Sequence, residues 1–517
     1  MSAAPRPALT RLVDPSTLAR RSEEALERLG DHPSLFFEGT WQSSFELAAR
    51  ARRTAAGLVA LGVRPGDRVV LFMANCPEVG ITYHALWRAG AVATPVLFLL
   101  TEDELRHVLS DSGAVAIVTT PEFLSKIVSV AGGLPVVVVG GSVGESLAPG
   151  LMTFAELESG DELSLVDRRP EDLAALLYTG GTTGRSKGVA LTHAGLDTAG
   201  AAANAVAGRE GPTVGLLPLP LAHAYGLMVS VAGMHAEQAG RSVLMRWFDP
   251  AGFVSLVEQH RVQQSALVPS MIQLLLTQPL EQHDLTCLER VSSGGAPLAV
   301  GVAHELERRV PSVQVREGYG CTETSALISA QPADDRRLGS VGKPVPGVEV
   351  RITGADGQVL PPGQDGEICV RGPLLMTGYW NAPEATAEAI RDGWLHTGDV
   401  GRFDEQGWLY VVDRLKDLII RNGFNVYPRD VEDVLLAHPE VTAAAVVGRP
   451  DPKVGEEVVA FVSVAAGSTL TPDQLIAFSK EHVSAAKYPR EVRIVDAVPL
   501  TSVLKTDRKA LRAQLRP

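Results

Sequence analysis

Between Thr179 and Gly188 the chain reads Thr-Gly-Gly-Thr-Thr-Gly-Arg-Ser-Lys-Gly, directly after an apolar run, Leu173 to Tyr178, that is a buried-strand candidate. Glycines such as Gly181 and Gly184 lack a Cβ and allow positive φ, so successive backbone N–H groups can converge on an anion. The hydroxyls of Thr179, Thr182 and Thr183 add donors, and Lys187 adds a point charge. That combination suits a triphosphate. It is not the Walker A pattern, because Lys187 is followed by Gly188 rather than by Ser or Thr and the GxxxxGK register fails. A flexible surface turn is the plain alternative.

The elements that must hold such a loop can be read from the pattern on either side of it. Ser44 to Leu61 is Ala/Leu-rich with helical spacing, and Asp67 to Met73 reads as a buried strand after a Pro-Gly turn. A helical stretch, Glu78 to Ala89, and two strand-like runs, Ala114 to Thr119 and Leu134 to Val139, follow. This alternation predicts layered α/β units rather than an all-helical or all-β chain. From Gly347 to Arg371 the texture becomes turn-rich with short strands, which predicts a small β-barrel-like subdomain. After Asp413 another α/β stretch begins. From Arg414 onward there are 15 basic and 13 acidic residues, leaving −15 for the preceding part. The expected division is therefore a large domain over residues 1–413 and a small one over 414–517. The slight basic excess of the small domain fits either a polyanionic small molecule or a solvated surface.

Composition excludes several classes. At 517 residues, one hydrophobic core is exceeded and at least two domains are expected. Hydrophobic content of 45% and charged content of 21% are globular values, not those of a disordered chain. A net charge of −13 gives no overall grip on nucleic acid. Cys76, Cys287, Cys321 and Cys369 lie far apart with no CxxC pair, so free thiols in a reducing compartment are expected. No apolar run approaches the ~18 residues of a membrane span, and Met1 to Thr10 has no signal-peptide core. The expectation is a cytoplasmic, multidomain protein without a nucleic-acid partner.

Tyr178 to His193, YTGGTTGRSKGVALTH, resembles the phosphate-loop motif of the adenylate-forming superfamily, which comprises acyl-CoA synthetases, nonribosomal peptide adenylation domains and luciferases. Gly180 stands where the family usually has serine. Further matches follow in family order along nearly the whole chain: Pro218 to Leu227 (PLPLAHAYGL), Ser293 to Leu298 (SGGAPL), Gly318 to Thr324 (GYGCTET), Trp394 to Asp399 (WLHTGD), Asp413 to Glu432, and Pro499 to Arg512 (PLTSVLKTDRKALR). The look is closest to bacterial acyl-CoA synthetases.

The resemblance implies a role for each matched residue. Glu323 holds Mg²⁺ on the phosphates, a hard oxygen ligand for an ion that takes only one or two protein carboxylates. Thr322 donates to the α-phosphate, and Tyr319 stacks on adenine in a site walled by Gly295, Ala296, Pro297, Glu317, Gly318 and Gly320. Family members often have Gln where Glu317 stands. Asp399 and Arg414 take the ribose hydroxyls. Lys505 reaches between the substrate carboxylate and the α-phosphate and carries adenylation. With nine lysines against 38 arginines in the chain, lysines at both Lys187 and Lys505 stand out from background. Leu504 replaces the family's glycine before that lysine and restricts the backbone there. Lys416 falls at the family's hinge, about which the small domain rotates to present Gly423, Phe424 and Asn425 as a thiol channel. His223, Tyr225, Gly226, Met228 and Gly294 wall the acyl pocket, where His223 is either a gate or a buried, hydrogen-bonded histidine. None of these is basic, which favours an uncharged acyl tail.

The leading expectation is an ATP- and Mg²⁺-dependent ligase that converts a small carboxylic acid to acyl-AMP and then to acyl-CoA, with CoA as co-substrate. It rests on a single ligase unit with no carrier-protein segment after Pro517. Transfer of the adenylate to a carrier protein or an amine, or activation of another small oxyacid, is the alternative. A catalytically impaired binding protein is a third reading, prompted by Leu504 and Gly180.

Overall fold

The computed structural model describes residues 14–140, 149–179, 185–208, 213–501 and 505–515. Among these, four sheets carry the chain. The first is built mainly from parallel strands whose near-continuous Val/Leu/Ile runs reflect burial on both faces. Its strand order is Gly378–Tyr379, Lys187–Thr192, Leu173–Thr179, Val92–Pro95, Arg68–Phe72, Ala116–Thr119, Val136–Val138 and Leu151–Thr153. The expected strands at 67–73, 114–119 and 134–139 all lie here, each trimmed by a residue or two at its ends.

The helices over this sheet start where local chemistry starts them. Ser43 and Glu46 form a reciprocal capping box at the head of Ser44–Ala60, satisfying two N–H groups that the first turn leaves open. Pro77 opens Pro77–Arg88, at the position where its missing N–H costs nothing. The Tyr83 and Trp87 rings of that helix stack, and both are buried beneath the sheet.

A second sheet supplies the other wall of the cleft. Its parallel core runs Gln314–Tyr319, Arg290–Ser293, Gln264–Leu267, Val214–Leu217, Arg241–Leu244 and Pro33–Phe37. The helices His193–Ala207 and Ala224–Gly233 pack together beside it. The β-rich unit expected from residue 347 is a five-stranded antiparallel sheet of Glu349–Thr353, Gly366–Arg371, Ile390–Arg391, Trp394–Phe403 and Leu409–Arg414. The smaller C-terminal domain has a sheet with its own core, in which Val446, Val458, Ala460 and Val462 meet Val431, Leu435 and Leu475 from two helices. Architecture and fold class are thus the mixed α/β arrangement expected from the sequence. No helix among the described residues is long and apolar enough to cross a membrane.

Candidate active site

A single cleft gathers residues from all of these units. At its phosphate-loop end, Thr179 closes one strand and Lys187 opens the next, and the two are direct cross-strand partners. Gly180, Gly181, Thr182, Thr183 and Gly184 lie outside the described residues. Lys187 is exposed, and its ammonium stands 5.1 Å from the centre of the Tyr379 ring. The Tyr379 hydroxyl donates to Glu323 Oε1 at 2.9 Å. Tyr379 therefore joins the loop lysine to the candidate metal carboxylate, although nothing in the sequence reading singled it out.

Glu323 sits in the short 3-10 turn Thr322–Thr324, and Met376 N–H donates to its carbonyl at 2.8 Å. The strand–turn geometry needs Gly320, because a Cβ there would overlap the backbone of Ala326. Gly226 is required in the same way by the Pro220 carbonyl. Thr322 and Glu323 both line the cleft. One half-buried carboxylate facing open space matches a mostly hydrated Mg²⁺, so the residues present fit that ion.

Asp399 and Arg414 are register partners on adjacent antiparallel strands. Arg414 Nε donates to Asp399 Oδ1 at 2.7 Å, and the Tyr319 hydroxyl donates to Asp399 Oδ2 at 2.6 Å. The carboxylate raises the Arg414 pKa, while burial, reinforced by Asp399, raises that of Tyr319. The preceding turn is held by Glu367, which accepts from Gly398 N–H at 3.1 Å and pairs with His396 Nδ1 at 2.7 Å. Glu367 and His396 thus brace the turn into Asp399.

On the opposite wall, Gly294, Gly295, Ala296 and Pro297 line the cleft in the loop after Arg290–Ser293. Gly295 has φ +81°, a left-handed conformation that favours glycine. A Cβ built there would meet Lys505 Cε at 3.6 Å and Nζ at 4.0 Å, so the lysine lies directly over this loop. Lys505 is tied to Thr501, whose N–H donates to the Lys505 carbonyl and whose Oγ1 accepts from Lys505 N–H, and Leu500 and Thr506 beside them form an antiparallel bridge. Leu504 lies outside the described residues. Burial lowers the Lys505 pKa and Arg414 adds to the effect, against Asp399, Cys321 and Glu323.

His223 caps the helix Ala224–Gly233, its Nδ1 accepting from Tyr225 N–H at 3.2 Å. Burial, and then the Lys505 charge, push its pKa down to about 3. The imidazole is neutral, and the capping bond assigns its proton to Nε2. Below it, strand register arranges the pocket in rows. Gly294 and Gly318 lie at the mouth, then Ala266, Ser292 and Arg316, then Gly215, Gln264 and Arg290. At ~3.3 Å per residue, the third row lies roughly 13 Å from the first, and the lining runs on past it to Thr213, Gly240 and Arg241. Tyr225, Met228 and Val229 also line the pocket, and the Tyr225 hydroxyl donates to the Ser292 carbonyl.

The sequence reading found no basic residue among its named pocket residues, yet Arg290 and Arg316 line the cleft. Arg290 donates to the Ala207 carbonyl at 2.8 Å; Arg316 donates to the carbonyls of Pro332 and Ala333. Glu317 also lines the cleft, but its Oε1 accepts from Gly339 N–H at 3.1 Å. Lys416 lies in the short turn Leu415–Asp417. Gly423, Phe424 and Asn425 are not brought into the cleft. They form the exposed end of the hairpin Ile419–Arg421/Phe424–Val426.

Comparison with known proteins agrees with this arrangement. Residues 22–380 match the family model "AMP-binding enzyme", and residues 430–505 match "AMP-binding enzyme C-terminal domain". A feruloyl-CoA synthase from an Amycolatopsis species is 39% identical over 474 residues, covering 90% of this chain and 92% of that protein. Among solved structures, ATP-bound MatB from Rhodopseudomonas palustris is similar with a TM-score of 0.87 and 32% identity, covering 96% of this chain and 98% of that one. The amide bond synthetase McbA from Marinactinospora thermotolerans is similar with a TM-score of 0.85 and 32% identity, covering 96% and 100%.

Proposed function

The chain belongs to the AMP-binding enzyme family, within the adenylate-forming superfamily, and we propose that it is an acid–thiol ligase that makes acyl-AMP from a carboxylic acid and ATP, then acyl-CoA. The observation that carries this reading is the convergence of Lys505, the Asp399–Arg414 pair and Glu323 on one cleft above a deep pocket.

The chemistry asks for that arrangement. A carboxylate is a poor electrophile and is repelled by the triphosphate it must attack. The Lys505 ammonium over the Gly295 loop offsets that repulsion and follows charge onto the α-phosphate as it develops. The acid's oxygen forms the new bond to the α-phosphorus, and the bond to pyrophosphate breaks. Thr322 donates to the α-phosphate, Tyr319 and the loop 294–297 seat the adenine, and Asp399 with Arg414 takes the ribose hydroxyls. Glu323, backed by Tyr379, would hold Mg²⁺, which when bound neutralises phosphate charge. Neutral His223, which lines the same cleft, shields the acyl-adenylate from water. The CoA thiol then attacks the acyl carbonyl, AMP leaves, and the thiol proton passes to solvent.

The division at Asp413/Arg414 is part of the same reading. Rotation about the turn Leu415–Asp417, with Lys416 as hinge, withdraws Lys505 and brings the hairpin carrying Gly423, Phe424 and Asn425 to the cleft as the thiol channel. Arg290 and Arg316 direct donors to backbone carbonyls, although Arg316 Nε is left without a partner among the described residues, and the non-basic wall of His223, Tyr225, Met228 and Gly294 supports an acid with an uncharged tail.

The likeness to an amide bond synthetase makes an amine the alternative acceptor. The test is to supply ATP, Mg²⁺ and an acid with CoA, with a panel of amines, or with a pantetheinylated carrier protein, and to identify the product by mass. A thioester of CoA with stoichiometric AMP supports the proposal. An amide, or acyl carrier protein alone, would replace CoA as the acceptor.

A further inference from the structure

The helix Pro428–Leu436 begins without a cap of its own: Tyr427, at the N-cap position, makes no side-chain bond to the first turn. First-turn N–H groups need a partner. Here the partner comes from the other side of the hinge. Asp413 Oδ2 accepts from Arg429 N–H at 3.0 Å, while its Oδ1 accepts from Arg414 N–H at 2.8 Å. Asp413 is only 5% exposed.

The Arg429 side chain reaches back over the same hinge. Its Nη1 donates to the Val411 carbonyl at 2.5 Å and its Nη2 to the Leu298 carbonyl at 3.4 Å. Leu298 ends the loop whose Gly295 lies under Lys505. Within its own helix the guanidinium meets only Asp433, at 3.6 Å. Its bonds therefore serve the junction between the domains rather than the core of the small one.

We propose that Asp413 and Arg429 form a latch across the hinge, a cap and a clamp that together hold the small domain in the orientation that seats Lys505. Any rotation about residues 415–417 must uncap the helix and release both carbonyls. Arg429 is thus a positioning residue for adenylation, acting through Lys505. This rests on the function proposed above.

Arg429→Ala and Arg429→Lys separate a latch from a merely structural side chain. Acyl-AMP formation is followed by ATP–pyrophosphate exchange, and thioester formation is followed from supplied acyl-AMP and CoA. Arg429→Ala is expected to slow the first about tenfold, the size of losing one or two buried charged hydrogen bonds, and to leave the second within about twofold. Arg429→Lys, with one compact donor group for two carbonyls, is expected to fall between. Hydrogen exchange in Arg429→Ala should quicken at residues 294–298 and 428–432 and stay unchanged in the sheet strands Val441–Asp451 and Gly455–Val464. Equal loss of both half-reactions, or adenylation at the wild-type rate, overturns the latch. If wild-type protein catalyses neither half-reaction, the functional reading fails separately. The latch is then decided by hydrogen exchange alone, and unchanged protection at 294–298 and 428–432 overturns it.

Discussion

Lys505 is a cation in a place where an ammonium is costly to keep. Burial and Arg414 oppose its charge; Asp399, Cys321 and Glu323 favour it. Such a residue is poised for a reaction whose transition state adds negative charge beside it, and its contribution should be confined to the step in which that happens. Lys505→Ala is expected to slow acyl-AMP formation by roughly 10²–10³, the size of a lost oxyanion-type contact, while thioester formation from supplied acyl-AMP survives. Quench-flow measurement of the two steps checks this, and equal loss of both would remove Lys505 from the adenylation role. Residue-level reading of the sequence reached Lys505, Glu323, Asp399 and Arg414 because each sits in a compact motif. It missed Tyr379, which touches Glu323 from 56 positions away, and Arg429, whose carbonyl partner Leu298 lies 131 positions off. Contacts of that range leave no local pattern to read.

At the scale of elements, the pocket is a consequence of strand register. Side chains alternate across each strand, so fixing Ala266 opposite Ser292 and Ser292 opposite Arg316 makes one row, and the residues two positions back make the next row down. Gly294 and Gly318 in the first row and Ala266 and Ser292 in the second are small, which leaves the space between them open. Ala266→Phe should fill the middle row, with longer acids losing kcat/KM and the shortest acids retaining it. Steady-state kinetics over an acid series reads this directly, and an unchanged length profile would show that the acyl tail runs elsewhere. Periodicity made the elements themselves legible. Helical spacing marked Ser44–Ala60, and apolar runs marked Arg68–Phe72 and Leu173–Thr179. Which strands lie side by side was not legible, because pairing such as Val92–Pro95 beside Leu173–Thr179 joins segments far apart in sequence through backbone bonds that carry no residue code. The two basic residues in the pocket were hidden for the same reason.

At the scale of the whole molecule, the junction between the domains buries carboxyl groups. Burial pushes Glu317 up to about 7 against the pull of Arg429, with Asp433 adding to the rise; hydrogen bonds from the Gly339 and Leu298 N–H groups oppose it. Burial likewise pushes Asp413 up to about 6, against Arg508 and the N–H groups of Arg429 and Arg414 and with Glu432 adding. Opening the junction takes Arg429 away from Glu317, which by itself raises that carboxyl; if the hydration gained on opening outweighs this, both groups return toward ordinary carboxylate values of about 4. The closed form then binds protons more tightly. It is fully favoured below those ordinary values and loses that advantage as pH rises through about 7. Hydrogen exchange at 428–432 is expected to show more opening at pH 7.5 than at pH 5, beyond the intrinsic change in exchange rate, and Glu317→Gln should flatten the upper part of that dependence. A profile identical in the variant would assign the effect elsewhere. All of this presupposes that the cleft activates a carboxylic acid with ATP. The most direct measurement is ATP–pyrophosphate exchange by the purified protein over short, medium, long-chain and aromatic acids. Exchange that depends on one class of acid, and is absent without acid, is the predicted result; no exchange with any acid would contradict the account.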